Sequence, residues 1–194
     1  MKNNFVYQLL RVLLTPIFKL YYNVKIVDKQ FIPKNGPFII CGNHLNAFDQ
    51  FPVIASTKRT IHWLSKKEYF EGKLKWFFKA TRCICVDRSS HDGKAKKEAI
   101  NYLKNEEAIG LFPEGTRNRT NKELLEFKKG AVKMAQEAKI PIIPFAVNGN
   151  FCFRSKNLIV RFGKPIFVKS TDNLEEKNVE LRNSILNLQR LNKK

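Results

Sequence analysis

Short apolar runs recur along the chain, separated by segments whose apolar residues follow helical spacing. The strand-like runs are VKIV (24–27), PFIICG (37–42), TIHWLS (60–65), CICV (83–86), AIGLF (108–112), PIIPFAV (141–147) and LIVRFG (158–163). Helical spacing is found at 93–105, 128–138 and 173–190. Short apolar strands that alternate with helices predict an α/β fold, with a mostly parallel sheet flanked by helices.

The first 22 residues form a separate amphipathic segment. FVYQLLRVLLTPIFKLYY (5–22) is apolar and aromatic, but Gln8, Arg11 and Lys19 interrupt it. A membrane-spanning helix needs about 20 predominantly apolar residues, and no stretch of that length is free of charge here. Pro16 after Thr15 predicts that the helix restarts or kinks there, with Thr as the cap and Pro at the first helical position. We therefore expect two short membrane-interface helices in 1–22 and a single domain in 23–194, the alternative being a terminal helix packed on the protein's own core.

The charge balance restricts the class of partner. The 36 Lys and Arg residues against 17 Asp and Glu give a net charge of +19, which indicates a polyanionic partner such as nucleic acid, an anionic membrane or a phosphorylated substrate. KLKWFFK (73–79) mixes basic and aromatic residues, which fits RNA or a membrane interface. No nucleic-acid-binding signature accompanies it, so we expect an anionic membrane surface and no nucleic acid; a basic RNA-binding module is the alternative.

The cysteines do not indicate a metal site. There are four cysteines, Cys41, Cys83, Cys85 and Cys152. No two of them form a C-x-x-C pair, and all four lie in apolar runs. We expect them to be reduced, buried thiols of a cytosolic protein. Neither a metal nor a cofactor is expected.

Three polar stretches follow predicted strands, where α/β folds bind their ligands. NHLNAFD (43–49) contains His44 and, five positions later, Asp49. VDRSS contains Arg88, and LFPEGTRNRT (111–120) combines a Gly–Thr turn with two arginines suited to phosphate. From its spacing alone, His44 is either a structural hydrogen-bonding residue or a catalytic base.

Four stretches stand in the order and approximate spacing of the motifs of the glycerolipid acyltransferases. They are NHLNAFD (43–49), CICVDR (83–88), FPEGTRN (112–118) and IPIIPFAV (140–147). The chain is similar to this family over about residues 37 to 165, and FPEGTR is the most specific of its motifs. Three features depart from the family pattern. Asn46 stands where a serine is common, and Arg82 stands where a glycine usually precedes the strand of the second motif. The proline that is common after the Lys-Glu stretch is missing from KKEYFEGKLK (66–75).

The resemblance implies transfer of a fatty acyl group from a thioester to the free hydroxyl of 1-acyl-glycerol 3-phosphate, which gives phosphatidic acid for phospholipid synthesis. The donor is carried by acyl-carrier protein or coenzyme A, and the acceptor is lysophosphatidic acid; glycerol 3-phosphate or a lysophospholipid is the alternative acceptor. An enzyme with lipid substrates and this N-terminal segment is expected on the cytoplasmic face of the cell membrane, as a peripheral, monotopic protein.

The same resemblance assigns roles to residues of this chain. His44 is the catalytic base, and Asp49 orients its ring and stabilises the imidazolium. Glu114 braces its loop rather than touching substrate, and Lys67 is a weaker candidate for phosphate binding. The full set of implied substrate-binding positions is Arg88, Glu114, Gly115, Thr116, Arg117 and Lys67.

Overall fold

A computed structural model describes residues 4–89 and 93–193, and these residues contain one seven-stranded sheet. Its strands are β1 (Lys25–Val27), β2 (Phe38–Gly42), β3 (Ile61–Lys66), β4 (Ile84–Val86), β5 (Ala108–Leu111), β6 (Ile142–Asn148) and β7 (Ile159–Phe162). They are arranged in the order β1-β7-β6-β2-β5-β3-β4, and only β6 and β7 pair in an antiparallel manner. A parallel pair needs a crossover of about a dozen residues or more, whereas a short loop joins β6 to β7. The predicted α/β fold with a mostly parallel sheet is confirmed.

The described helices are of two kinds, long ones that flank the sheet and short ones in its connections. They are α1 (Phe5–Tyr22), α2 (Gln50–Ile54), α3 (Glu68–Glu71), α4 (Lys75–Ala80), α5 (Lys94–Lys104), α6 (Gly130–Ala138) and α7 (Leu174–Leu191), with a 3₁₀ turn at Lys29–Phe31. The helices predicted at 93–105, 128–138 and 173–190 correspond to α5, α6 and α7. The short helices α2, α3 and α4 were not predicted, because four to six residues are too few to display a helical period.

The two faces of the sheet are covered differently. On one face, buried side chains of α5, α6 and α7, such as Leu103, Val132 and Leu181, pack against the sheet in one apolar cluster. On the other face, Phe38 and Phe145 form a second cluster with Val53 of α2. The helix α1 crosses this second face.

Contrary to the prediction of two N-terminal helices, α1 is a single helix that contains Pro16. Its cap is Asn4, whose side chain accepts a hydrogen bond from the Tyr7 N–H, and not Thr15. A proline removes one backbone donor but does not oblige a helix to end, and α1 is held at both ends by other parts of the fold. Of the three basic residues in 1–22, Lys2 lies outside the described residues.

Within residues 4–89 and 93–193, no helix combines the length and the apolar character that crossing a membrane requires.

The turn before β4 is held by a buried histidine. His62 lies on β3, and its Nδ1 is 2.9 Å from the Arg82 carbonyl oxygen while its Nε2 is 2.6 Å from a Glu107 carboxylate oxygen. Arg82 has a φ of +52°, a left-handed conformation that favours glycine. The left-handed φ accounts for the glycine that is common at this position, and in this chain Arg82 adopts the same conformation with its carbonyl bonded to His62.

The prediction of buried thiols is confirmed for Cys41 and was wrong for Cys152. All four cysteines are free; Cys83 and Cys85 are half-buried, and Cys152 is exposed because it lies in the loop between β6 and β7 rather than in a strand.

Candidate active site

The candidate site lies where parallel strands end at one edge of the sheet. His44 follows β2, Arg88 follows β4, and the FPEGTRN loop (112–118) follows β5. Because β2, β3, β4 and β5 pair in parallel, their carboxyl ends share that edge. The three polar stretches singled out in the sequence are therefore brought to the same side of the sheet.

His44 and Asp49 form a hydrogen-bonded pair. The distance from His44 Nδ1 to Asp49 Oδ2 is 3.1 Å, and the same carboxylate oxygen accepts the N–H groups of Leu45 and Asn46 at 2.7 Å each. Asp49 is only 1% exposed. A carboxylate is an acceptor, so Nδ1 carries the proton and the His44 Nε2 lone pair is left for substrate. Among the described residues, Nε2 has no hydrogen-bond partner.

The backbone of His44 is held on both sides by the FPEGTRN loop. Its N–H donates to Glu114 Oε1 at 2.8 Å, and its carbonyl accepts the Asn118 N–H at 2.7 Å. The imidazole also stacks on the Phe112 ring, with centroids 4.0 Å apart and planes 9° from parallel. The position of the His44 ring is therefore set by a loop that lies about 70 residues further along the chain.

Glu114 is a bracing residue. Its second carboxylate oxygen accepts the Leu125 N–H at 2.9 Å, so one buried side chain joins the His44 loop to the segment after FPEGTRN. Burial raises the pKa of Glu114, and the N–H groups of Leu125 and His44 oppose that rise by stabilising the charged form. The side chain does not line the cavity described below.

Gly115 forms the turn of the same loop. It has a φ of +70°, and its N–H donates to the Phe112 carbonyl at 2.9 Å. A Cβ at this position would be 3.0 Å from the Lys128 side chain. Both the backbone conformation and the close approach of Lys128 therefore favour glycine.

A cavity of about 1240 Å³ lies between α1 and the second face of the sheet. His44 lines it together with apolar residues of three elements: Leu10, Leu14, Ile17 and Phe18 from α1, Leu74, Phe77 and Phe78 from the α4 region, and Trp63 from β3. Small-molecule sites are usually about 300–1,000 Å³, so this cavity has room for a long-chain ligand.

Cationic side chains also line the cavity. Those found among the described residues are Arg11, Lys66, Arg88, Arg117, Arg119 and Lys128, and Gly115 and Thr116 line it with them. None of these cations forms an ion pair with a carboxylate of the described residues. The cavity thus combines apolar walls with positive charges that no carboxylate of the described residues neutralises, and the His44 imidazole lines it with them.

The structure separates Lys67 from the other predicted phosphate-binding residues. Lys67 Nζ is 3.0 Å from Asp87 Oδ2 and 3.8 Å from Glu71 Oε1, and Lys67 does not line the cavity. Lys66, the last residue of β3, lines it instead. The sequence alone does not show which of two adjacent lysines faces the cavity. That depends on where β3 ends, and β3 ends at Lys66.

Sequence reasoning also missed the residues that position the pair. Asn43 is buried and makes two hydrogen bonds of 2.8 Å to the backbone of Val147, joining the end of β2 to β6. Phe112 and Asn118 lie inside the quoted motif, yet nothing in their spacing indicated that they contact His44. Among the described residues, no three His, Cys, Asp or Glu side chains are grouped in a way that could hold a metal ion.

A family model described as Acyltransferase matches residues 23–148. The 1-acyl-sn-glycerol-3-phosphate acyltransferase of Bacillus subtilis is 31% identical over 158 residues, which cover 77% of this chain and 77% of the relative. The chain belongs to the acyltransferase family. A protein of the same name from Saccharomyces cerevisiae is 32% identical over 170 residues, which cover 81% of this chain and 55% of the yeast protein. The chain thus spans most of the Bacillus relative but little more than half of the yeast relative.

A solved structure supports the fold of this family member. The crystal structure of the 1-acyl-sn-glycerophosphate (LPA) acyltransferase PlsC from Thermotoga maritima aligns with a TM-score of 0.74. The alignment covers 95% of this chain and 78% of the Thermotoga chain at 22% identity. At this identity the likeness establishes the α/β architecture, and the roles of individual residues depend on the geometry described above.

Proposed function

We propose that the protein transfers a fatty acyl group from a thioester donor to the free hydroxyl of 1-acyl-glycerol 3-phosphate, forming phosphatidic acid. The observation that carries the proposal is the His44–Asp49 pair, which lies at an apolar cavity lined by cations that form no ion pair within the described residues. Relatives named 1-acyl-sn-glycerol-3-phosphate acyltransferase in bacteria, yeast and mouse support the same reading.

His44 serves as general base in this proposal. Its Nε2 takes the proton of the acceptor hydroxyl while the hydroxyl oxygen attacks the thioester carbonyl carbon. The tetrahedral intermediate then collapses with loss of the thiolate, which recovers the proton from Nε2, so the products are an ester and a free thiol. Asp49 stabilises the imidazolium between the two steps and keeps the proton on Nδ1. A covalent acyl-enzyme is not needed.

The cationic group holds the acceptor phosphate. Arg117 is the central contact because its loop also positions His44, and its guanidinium offers a planar fork to phosphate oxygens. Arg88 and Lys66 add positive charge from the neighbouring strand ends. Lys66 replaces Lys67 as the proposed lysine, because Asp87 already neutralises Lys67. The cavity beneath accommodates acyl chains.

The function is tested by assaying the purified protein with acyl-carrier protein and coenzyme A thioesters. Lysophosphatidic acid, glycerol 3-phosphate and an uncharged-head lysolipid serve as acceptors, and the lipid products are analysed. We expect phosphatidic acid from lysophosphatidic acid with at least one donor. A product formed only from another acceptor would replace the proposed substrate, and no acyl transfer to any acceptor would reject the function.

Replacement of Arg117 by alanine should mainly raise KM for lysophosphatidic acid. A charge-assisted hydrogen bond contributes about 1.5–3 kcal/mol, which corresponds to a roughly 10- to 150-fold effect. Arg117→Lys should recover little, because an ammonium group lacks the two-pronged geometry. Steady-state kinetics at varied acceptor concentration measure both values.

Arg190→Ala is the matched control for Arg117, since Arg190 is an exposed arginine of α7 paired with Glu123. Its kinetics should equal those of the unaltered protein. If Arg117→Lys also matched the unaltered protein, the phosphate contact would have to be assigned to another cation of the cavity.

Peripheral attachment to the cytoplasmic face of the cell membrane is the second part of the proposal. The outward face of α1 exposes apolar side chains, among them Leu13 and, at 82% exposure, Leu20. Arg11 and Lys19 on the same helix supply attraction to an anionic leaflet of about 1 kcal/mol each. Free cysteines are consistent with a reducing compartment.

Binding to vesicles should need anionic lipid and should weaken with salt without vanishing, because the apolar contribution is not screened. Deleting α1 would be a poor test, since Tyr7 of that helix is buried against the fold. Leu13→Ser together with Leu20→Ser should instead lower the partition constant in a flotation assay by about 100-fold, on an estimate of about tenfold for each buried leucine.

Leu191→Ser, which alters a half-exposed leucine at the end of α7, serves as the control and should leave vesicle binding unchanged. Undiminished binding of the double α1 variant would reject α1 as the anchor. Equal binding to neutral and anionic vesicles would reject only the electrostatic contribution.

A further inference from the structure

We infer that the loop between β6 and β7, residues 149–158, is a second membrane-contact element, with Phe153 as the side chain that enters an anionic bilayer. The inference rests on the proposed function, because it takes the lipid surface as the place where substrate is found. It concerns a part of the chain about 130 residues away from α1, which the N-terminal anchor does not include.

Phe153 extends the exposed apolar face of α1. Its ring is 65% exposed and lies 5.2 Å, centroid to centroid, from the ring of Tyr21. The Arg154 N–H donates to the Tyr21 carbonyl at 2.6 Å, so the loop is fixed to the end of α1. Leu20, the most exposed large apolar residue described, is adjacent in sequence to Tyr21. The exposed rings of Tyr21 and Phe153 therefore form one apolar surface where the helix end meets the loop.

Phe153 lies in a loop that is held in place by hydrogen bonds. Ser155 is buried, and its hydroxyl oxygen accepts the Leu158 N–H at 3.1 Å. Its carbonyl accepts the side-chain amide of Asn23, just after α1, at 3.1 Å. The side chain of Asn157 accepts the Asn150 N–H at 3.1 Å, which closes the loop on itself. A loop held in this way keeps an aromatic side chain in water only at a free-energy cost, unless a partner covers it.

Charge identifies a bilayer as the fitting partner. Arg154 and Lys156 follow the exposed ring closely in the same loop, and neither is paired with a carboxylate among the described residues. Aromatic side chains together with basic residues are the composition of protein segments that lie at an anionic membrane interface. An acidic carrier protein would complement the positive charges of Arg154 and Lys156, but it would not provide an apolar environment for Phe153 and Leu20.

The loop also connects this surface to the active site. The ring of Phe151 lies 6.0 Å from that of Phe48, a half-exposed residue inside the NHLNAFD stretch. Phe48 and Tyr21 both line the cavity that contains His44. If Phe153 enters the bilayer, this side of the cavity faces lipid, and an acyl chain can pass between the two without crossing water.

Each end of α1 is hydrogen-bonded to an element that has an exposed aromatic side chain. At its start, the Asn4 side-chain amide donates to the Ala80 carbonyl at 2.9 Å, which fixes the helix to α4, the helix that contains the 62% exposed Trp76. At its end, it is fixed to the Phe153 loop. With 18 residues at about 1.5 Å each, the supports are separated by about 27 Å along the helix. Contact at both would hold α1 parallel to the bilayer plane.

The test compares Phe153→Ser with Phe167→Ser in the full chain, using vesicles with and without an anionic lipid. Phe167 is an equally exposed phenylalanine, at 61%, that follows the β6-paired residue Ile166 and contributes to neither the cavity nor α1. We expect Phe153→Ser to bind anionic vesicles about tenfold more weakly, and Phe167→Ser to bind as the unaltered protein does. Equal binding by the two variants would overturn the inference.

A direct measurement uses the exposed thiol of Cys152, next to Phe153. Its rate of alkylation by a polar, membrane-impermeant maleimide, obtained by difference from Cys152→Ser, should fall several-fold when anionic vesicles are added. An unchanged rate with vesicle-bound protein would show that the loop stays in water, and would overturn the inference even if Phe153→Ser failed to fold.

The outcome is separable from that of the proposed function. Weaker binding by Phe153→Ser in a protein without acyltransferase activity would keep the membrane contact and reject the reaction. Full binding by Phe153→Ser in a protein that makes phosphatidic acid would reject the contact alone. Activity of Phe153→Ser towards detergent-dispersed acceptor should equal that of the unaltered protein, because Phe153 does not line the cavity.

Discussion

Replacement of His44 by alanine should lower kcat by about 10²- to 10⁴-fold, the range expected for loss of a general base. The reason is geometric: Asp49 binds Nδ1, so Nε2 is the basic nitrogen available to an acceptor hydroxyl in the cavity. KM for the acceptor should change much less, because the phosphate is held by the cationic side chains rather than by the imidazole. Initial rates at saturating substrates measure the effect.

The fold should survive this substitution. The hydrogen bonds that join the His44 backbone to Glu114 and Asn118 do not involve the ring, and what is lost is the stacking on Phe112 and the Nδ1 hydrogen bond to Asp49. The Asp49 carboxylate still accepts the Leu45 and Asn46 N–H groups. Thermal unfolding followed by circular dichroism provides the control. A folded His44→Ala protein with undiminished kcat would eliminate His44 as the base.

Asp49→Asn should lower kcat by at least about 100-fold, with little change in KM because Asp49 does not line the cavity. The amide oxygen of asparagine can still accept the Leu45 and Asn46 N–H groups, so the loop keeps most of its hydrogen bonds. The negative charge that stabilises the imidazolium is lost. If the amide NH₂ turns towards Nδ1, the proton is moved to Nε2, and the ring can no longer act as a base.

Asp172→Asn is the matched control for Asp49. Its carboxylate also accepts a loop N–H, that of Lys169 at 2.8 Å, but it lies in the turn before α7, which does not line the cavity. Its kcat should be unaltered. A fully active Asp49→Asn protein would mean that neither the charge nor the ring orientation contributes to the rate.

The strands were predictable because burial on both faces makes them uniformly apolar. Every residue of β2, Phe38–Gly42, is buried, and the run PFIICG displays this directly. The sequence pattern was less informative about α1, where a proline that follows a threonine resembles a helix start. Whether such a helix restarts or continues depends on what holds its ends, here Ala80 and Ser155, and neither is visible in the local pattern.

The candidate site was predictable in part for a related reason. His44 and Asp49 are five residues apart, so their contact is local and a spacing argument reaches it. The bonds from Glu114 and Asn118 to His44 join loops about 70 residues apart, and only the packing of β2 beside β5 creates them. Spacing along the chain does not encode such contacts.

The place of β2 in the sheet has a consequence for local opening. It is the fourth of seven strands, bonded to β5 on one side and to β6 on the other, and His44 follows its end by two residues. Backbone amides in a central, buried strand exchange with solvent only when much of the sheet opens, so the opening free energy there approaches that of global unfolding. His44 therefore follows a strand in which local opening requires the most free energy. Its alignment with Asp49 should persist in denaturant until the whole sheet is lost.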